Sequence, residues 1–207
     1  MSEENIFIDV EELKIEGLLE NLPGDKGVLV THPHPLYGGD MYNNVVESVV
    51  HAYRKKEYST LRLNFRGVGR SDGAHDNGIG EQEDVRAGLK YLFDLGKRAI
   101  HLAGYSFGAW VNALGLETFE HMNRMIMVSP PVNFIDFSFL TYNPKIQLII
   151  VGTNDDIAGC RSVEKMLPSW NPDAVFRTIQ GADHFYWGKS NELESIIHEF
   201  LEDRRLS

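Results

Sequence analysis

A serine between two glycines lies near the middle of the chain, in the stretch Gly104-Tyr105-Ser106-Phe107-Gly108. A short apolar segment, 98–103, precedes it, and a segment that favours a helix, 109–114, follows it. A serine at such a strand-to-helix junction sits on a very tight turn that exposes its hydroxyl above a sheet. Glycine is needed on both sides because side chains there would collide with the neighbouring strand and helix. The pattern predicts that Ser106 is a nucleophile.

A carboxylate and a histidine follow the serine at the ends of later apolar segments. Asp155 and Asp156 come after the segment 146–151, and His184 comes after the segment 174–179. A neutral serine hydroxyl is a weak nucleophile and needs a base within hydrogen-bond reach. An acid behind the histidine would hold the imidazole in the productive tautomer and stabilise its cation. The chain order serine, acid, histidine is the order expected for a nucleophile elbow on an α/β sheet.

The elements that must position these residues alternate between strand and helix. An antiparallel hairpin is predicted first, over 6–10 and 13–19. The remaining strands are predicted at 27–31, 60–65, 98–103, 124–128, 146–151 and 174–179, and the helices at 43–55, 81–95, 109–114, 161–167 and 191–203. Several strands are apolar throughout, which indicates a mostly parallel, doubly wound sheet covered on both faces. In such sheets the chemistry collects at the carboxyl ends of the strands.

Composition limits the kind of protein this is. The chain has 207 residues, 43% of them hydrophobic, which suits a single domain over 1–207. Its net charge of -10 and the lack of a Lys/Arg cluster disfavour binding to nucleic acid or to anionic membranes. Residues 1–14 are acidic and lack the apolar segment of a signal peptide. Cys160 is the single cysteine, so no intrachain disulfide forms and we expect a cytoplasmic protein.

Five segments together resemble a known family. The chain is similar to the α/β-hydrolase superfamily, and within it to the small, lidless hydrolases related to dienelactone hydrolase. The segments that carry this likeness, in order and spacing, are HPHPLYGG, NFRGVGRSDG, GYSFG, VGTNDD and GADHF. The resemblance covers nearly the whole chain and implies an α/β-hydrolase fold without a lid domain. Dienelactone hydrolase uses a cysteine nucleophile where this chain has Ser106, so its specific substrate is not carried over.

The resemblance also selects the acid. The family places it at the third residue after the glycine that ends its strand, which is Gly152 here, so the acid is expected at Asp155. Asp156 is the adjacent alternative. Asp183 is the direct neighbour of His184, but adjacent side chains on an extended segment point apart. We therefore expect a catalytic triad of Ser106, Asp155 and His184.

The tetrahedral intermediate needs two donors aimed at its oxyanion. One is expected from the backbone N–H of Phe107, and the resemblance places the other in the loop after the strand 27–31. His34 is the expected donor there, because the prolines on either side of it have no N–H. Leu36 is the second choice, and Tyr37 on the same loop is expected to contact substrate.

The expected site is an open, shallow, apolar cleft suited to short acyl groups. The connection from 130 to 143 is too short for a helical lid. Aromatic side chains are expected near the site edge at Tyr37, Phe107, Phe134, Phe137, Phe139, Tyr142, Phe185, Tyr186 and Trp187.

The sequence thus predicts a serine hydrolase of small carboxylic esters that works through an acyl-enzyme, acts on a small-molecule acyl substrate and needs no cofactor. Three alternatives stay open. The same triad serves thioesters and amides. The fold is also compatible with an inactive binding or scaffold protein. Finally, His32 and His34 could belong to a metal-dependent hydrolase, although an H-P-H pair without a nearby third ligand is weak support. The oligomeric state is left open.

Overall fold

The apolar segments of the sequence become the strands of one sheet. The computed structural model describes residues 3–202. Its strands are β1 Glu4–Val10, β2 Leu13–Glu20, β3 Lys26–Thr31, β4 Ser59–Leu63, β5 Ala99–Tyr105, β6 Arg124–Val128, β7 Ile146–Gly152 and β8 Val175–Ile179. Its α-helices are α1 Asn44–Arg54, α2 Ile79–Asp94, α3 Phe107–Gly115, α4 Cys160–Trp170 and α5 Ser190–Glu202, and a 3-10 helix spans Pro35–Tyr37.

The strands lie in the order β1-β2-β4-β3-β5-β6-β7-β8. β1 pairs with β2 and β2 with β4 in antiparallel register, whereas the other neighbours are parallel. The predicted architecture, a mostly parallel sheet with an antiparallel N-terminal hairpin, is confirmed. Residues 129–145, all of which the structure describes, connect β6 to β7 without a helix or strand. The fold is therefore the lidless form.

Each face of the sheet packs against helices, which explains why the central strands are apolar throughout. Leu29, on one face, belongs to the core cluster that includes residues of α2, α3 and α4. Val28 and Val30, its neighbours along β3, belong to the cluster on the other face, with residues of α1 and α5. Among the described residues, no helix is both long and apolar enough to cross a membrane.

Predicted and observed element boundaries differ by up to three residues, for example at the ends of β4, β5 and α4. β4 ends at Leu63 rather than at Phe65, because the N–H of Phe65 donates to the ring of His32 instead of to a strand. β5 continues to Tyr105, directly before the serine. α4 runs through Pro168 to Trp170, since burial of Trp170 in the core holds the last turn. The predicted end of the last helix at residue 203 lies outside the described residues.

Candidate active site

The turn between β5 and α3 holds Ser106 in an uncommon backbone conformation. Its φ is 54° and its ψ is -117°, a region that costs about 1–3 kcal/mol for a residue other than glycine. Ala109 lies so close that a Cβ on Gly104 would be 2.6 Å from its N atom, and a Cβ on Gly108 would be 2.6 Å from the carbonyl oxygen of Thr31. The predicted need for both glycines is confirmed. The close approach of α3 to β3 forces the serine outward.

The structure brings the three predicted side chains together at the carboxyl edge of the sheet. Ser106 Oγ lies 2.9 Å from His184 Nε2. The other ring nitrogen, Nδ1, lies 2.9 Å from Asp155 Oδ2 and 3.0 Å from its Oδ1. All three residues are buried. Burial alone would raise the pKa of Asp155, but hydrogen bonds from His184 and Ser129 outweigh it and hold that pKa below its ordinary value.

The neighbouring carboxylates are placed elsewhere. Asp156 is exposed, and Asn133 Nδ2 donates a hydrogen bond to its backbone carbonyl oxygen. Asp183 Oδ1 accepts hydrogen bonds from the N–H groups of Phe185 and Tyr186, at 3.0 Å each. Asp183 therefore caps a local turn, and Asp155 is the carboxylate that faces His184.

Three hydroxyl groups for which the sequence predicted no hydrogen-bonding role support this arrangement. Ser129 Oγ donates to Asp155 Oδ2 at 2.5 Å, and the hydroxyl of Tyr186 lies 2.7 Å from Ser129 Oγ. The hydroxyl of Tyr105 donates to the carbonyl oxygen of His184 at 2.7 Å. Ser129 directly follows β6, so the rule that polar residues at strand ends form the site could have identified it.

The loop after β3 places His34 beside the start of α3. The rings of His34 and Phe107 have centroids 4.6 Å apart. Within the described chain, the backbone N–H groups of these two residues donate no recorded hydrogen bond. Leu36 differs, because its N–H donates to His34 Nδ1 at 3.2 Å. The N–H of Leu36, the second choice, would have to leave this bond to donate to an oxyanion, whereas that of His34 would not.

The two histidines of the H-P-H pair do not form a metal site. His32 is fully buried, and burial lowers its pKa to about 4. Its Nδ1 lies 2.6 Å from the carbonyl oxygen of Pro33, and its Nε2 accepts the N–H of Phe65. Both ring nitrogens are therefore occupied, and the bond from Phe65 joins the chain after β4 to the chain after β3. In residues 3–202, no group of three or more histidine, cysteine or acidic side chains is arranged to hold a metal ion.

The predicted aromatic edge is smaller than expected. Phe107, Phe137 and Tyr186 are buried in the core. Phe139 stacks on Phe137, and Asn143 bonds to the carbonyl oxygen of Trp170, so the connection containing Phe139 and Tyr142 descends to the amino end of β7. The exposed aromatic side chains that remain on loops at the carboxyl edge are Tyr37, Phe134, Phe185 and Trp187, which we call the aromatic rim.

Sequence comparison finds a relative that is similar along nearly the whole chain. No protein-family model matches the chain. An uncharacterized protein of Rickettsia prowazekii is 36% identical over 208 residues, which cover 95% of this chain and 87% of that protein.

Solved structures are also similar to it. An α/β serine hydrolase homologue from Coxiella burnetii is 32% identical, with a TM-score of 0.89 over 97% of this chain and 98% of that chain. A lidless α/β serine hydrolase from Xanthomonas campestris is 28% identical, with a TM-score of 0.86 over 96% and 93%. On its fold and on this similarity along nearly its whole length, the chain belongs to the α/β-hydrolase superfamily and is a hydrolase of the lidless form.

Proposed function

We propose that this hydrolase cleaves small carboxylic esters through an acyl-enzyme on Ser106. The observation that carries the proposal is the continuous relay from Ser106 Oγ to His184 Nε2, at 2.9 Å, and from His184 Nδ1 to Asp155, at 2.9 Å. In that relay the histidine can accept the serine proton, and the carboxylate can stabilise the imidazolium that results.

In the acylation step, Ser106 Oγ attacks the carbonyl carbon of the ester while its proton moves to His184 Nε2. The carbonyl oxygen becomes an oxyanion, which the N–H groups of Phe107 and His34 stabilise. Phe107 is the first residue of α3, so the positive end of the helix dipole adds to this effect. The intermediate then expels the alcohol, which takes the proton from His184.

Deacylation repeats these steps with water. His184 accepts a proton from a water molecule, whose oxygen attacks the acyl carbon and forms a second oxyanion in the same position. Collapse of this intermediate breaks the bond to Ser106 Oγ, which recovers its proton from His184, and the carboxylic acid leaves. The histidine ends each cycle in its starting state.

The surroundings of Ser106 support a small substrate. An open cavity of about 410 Å³ lies between the loop after β3 and the loop after β4, and residues lining it include Leu36, Arg66 and His75. None of the three triad residues lines this cavity. It approaches the nucleophile turn through His75, whose ring centroid lies 5.5 Å from that of the buried Phe107. Because the connection 129–145 forms no lid over the site, long acyl chains would stay in water.

A fluorophosphonate probe tests the proposal. We expect the native protein to gain the mass of one probe on Ser106, and Ser106→Ala to gain none while keeping its fold. Ser195→Ala removes an exposed serine on α5 and serves as the matched control that still reacts. Native protein that resists the probe would favour the inactive binding or scaffold protein.

A panel of substrates then defines the bond and the acyl length. Acetate and butyrate esters should be cleaved faster than long-chain esters, because the site has no lid that could cover a long chain. Thioesters and amides with the same acyl groups form the other two arms, since the triad serves all three. Faster turnover of long-chain esters would contradict the short-acyl proposal.

A further inference from the structure

Asp155 has a second set of contacts besides His184. Its Oδ1 accepts the N–H groups of Ile157 and Ala158, at 3.0 and 2.8 Å. Its Oδ2 accepts the hydroxyl of Ser129 at 2.5 Å. Both oxygens of this buried carboxylate are thus held from outside the triad, each by different groups.

Ser129 is held in an unusual conformation that makes this contact. It is fully buried, its φ is 47°, and its N–H donates to the carbonyl oxygen of Ile150 at 2.8 Å. A non-glycine residue at positive φ is strained and persists only where its surroundings fix it. The strain at Ser129 therefore coincides with a hydrogen bond to the triad acid.

Tyr186 is the hydrogen-bond donor to the Ser129 hydroxyl. It is also fully buried, and burial raises the pKa of its hydroxyl well above the ordinary value, so the hydroxyl keeps its hydrogen. The carboxylate of Asp155 is only an acceptor, so Ser129 must donate to it. The Tyr186 hydroxyl, 2.7 Å from Ser129 Oγ, then donates to Ser129. One chain of donors runs from Tyr186 through Ser129 to Asp155.

We propose that Ser129 and Tyr186 form a positioning pair that keeps Oδ2 of Asp155 facing His184 Nδ1. The pair does not touch the substrate and acts through the acid. Without it, Oδ1 would stay anchored while Oδ2 would have His184 as its single partner, and the carboxylate plane could rotate away from the ring. This inference rests on the proposed function, in which Asp155 is the acid of the triad.

The other titratable groups near Asp155 do not obscure the pH dependence that its pairing with His184 produces. These groups are Tyr186, Tyr105 on β5, Cys160 at the start of α4 and Asp183 on the loop after β8. Burial raises the pKa of both tyrosines and of Cys160, so these three stay neutral through the range in which histidines titrate.

The rate of Ser106 labelling by a fluorophosphonate, measured against pH, tests the pair without knowledge of the natural substrate. Ser129→Ala should slow labelling about tenfold at the plateau, because it removes a hydrogen bond to a charged group. The midpoint of the profile should move to lower pH, because a carboxylate that has turned away from the ring stabilises the imidazolium less. Tyr186→Phe should move both quantities in the same direction by less.

Tyr53→Phe is the matched control. It also removes a buried tyrosine hydroxyl, which lies 3.0 Å from His101 Nδ1 near the amino end of β5, the end opposite the triad. Its labelling rate and midpoint should equal those of the native protein. An equal midpoint shift in Tyr53→Phe would show general loosening and overturn the proposal.

The proposal would also be overturned if folded Ser129→Ala kept the native labelling rate and the native midpoint. If Ser129→Ala does not fold, Tyr186→Phe decides alone, and an unchanged midpoint there contradicts the pair. Labelling of the native protein at Ser106 would support the proposed function whatever the variants show. A native protein that is not labelled would overturn both.

Discussion

Replacing the acid with its amide perturbs the proposed relay at one atom. In Asp155→Asn, the two backbone N–H groups of Ile157 and Ala158 still point at the position of Oδ1, so the amide oxygen must take that position. The amide NH2 group then takes the position of Oδ2, 2.9 Å from His184 Nδ1. There it donates to the ring, which forces the ring hydrogen onto Nε2. His184 can then no longer accept the proton of Ser106.

The expected loss follows from this wrong tautomer. In serine hydrolases with a comparable relay, the Asp-to-Asn change lowers kcat about 10⁴-fold, which corresponds to about 5 kcal/mol of transition-state stabilisation. The assay is kcat/KM on a short-chain ester, with circular dichroism and thermal unfolding to verify the fold. Asp156→Asn is the control, because that exposed side chain should change activity by less than about twofold.

Two results would refute this reasoning. One is an Asp155→Asn protein that keeps more than about a tenth of native activity, which would mean that the amide does not reverse the tautomer. The other is a larger loss in Asp156→Asn than in Asp155→Asn. The second result would require a different acid.

Three further predictions concern the turn, the buried histidine and the rim. Gly108→Ala should abolish activity and lower the unfolding free energy, because the new Cβ would lie 2.6 Å from the carbonyl oxygen of Thr31. Gly96→Ala is its control, since a Cβ there would meet no neighbouring atom although the φ of Gly96 is +89°. That change should lower the unfolding free energy by about 1 kcal/mol and leave kcat unchanged. The folded-state pKa of His32 is about 4 and its unfolded value is about 6.5, so the unfolded state binds more protons between them. In urea unfolding, His32 should lower stability by about 3 kcal/mol as pH drops from about 6.5 to 4, and His101, whose pKa burial lowers to about 3, should add to the fall; a flat profile there would contradict the burial of both histidines. Tyr37→Ala and Trp187→Ala should raise KM for aromatic esters about fivefold with little change in kcat, and unchanged KM values would exclude the rim from substrate binding.

The order of the elements and the three residues of the relay could be predicted from the sequence. Strands buried on both faces are apolar throughout, and their carboxyl ends can be located by eye, so Ser106, Asp155 and His184 fall on one edge. Their meeting follows from the parallel topology alone. The choice between Asp155 and Asp156 depended on the resemblance to a family, and the structure places Asp155 against the histidine.

The supporting contacts could not be predicted in the same way. Ser129 and Tyr186 meet because two loops, one after β6 and one after β8, pack against each other, and periodicity carries no information about such contacts. The path of the connection from β6 to β7 could not be predicted either, because its apolar residues follow neither the helical nor the strand repeat. Phe137 was therefore expected at the site but is buried beside Trp170, with ring centroids 5.5 Å apart.

The central claim is that Ser106 becomes acylated during turnover. Mass spectrometry of the protein quenched in acid during hydrolysis of an acetate ester tests it most directly. The account predicts one acetyl group on the peptide that contains Ser106, and none in Ser106→Ala. Ester hydrolysis by the native protein with no adduct, or with the acetyl group on another residue, would contradict it.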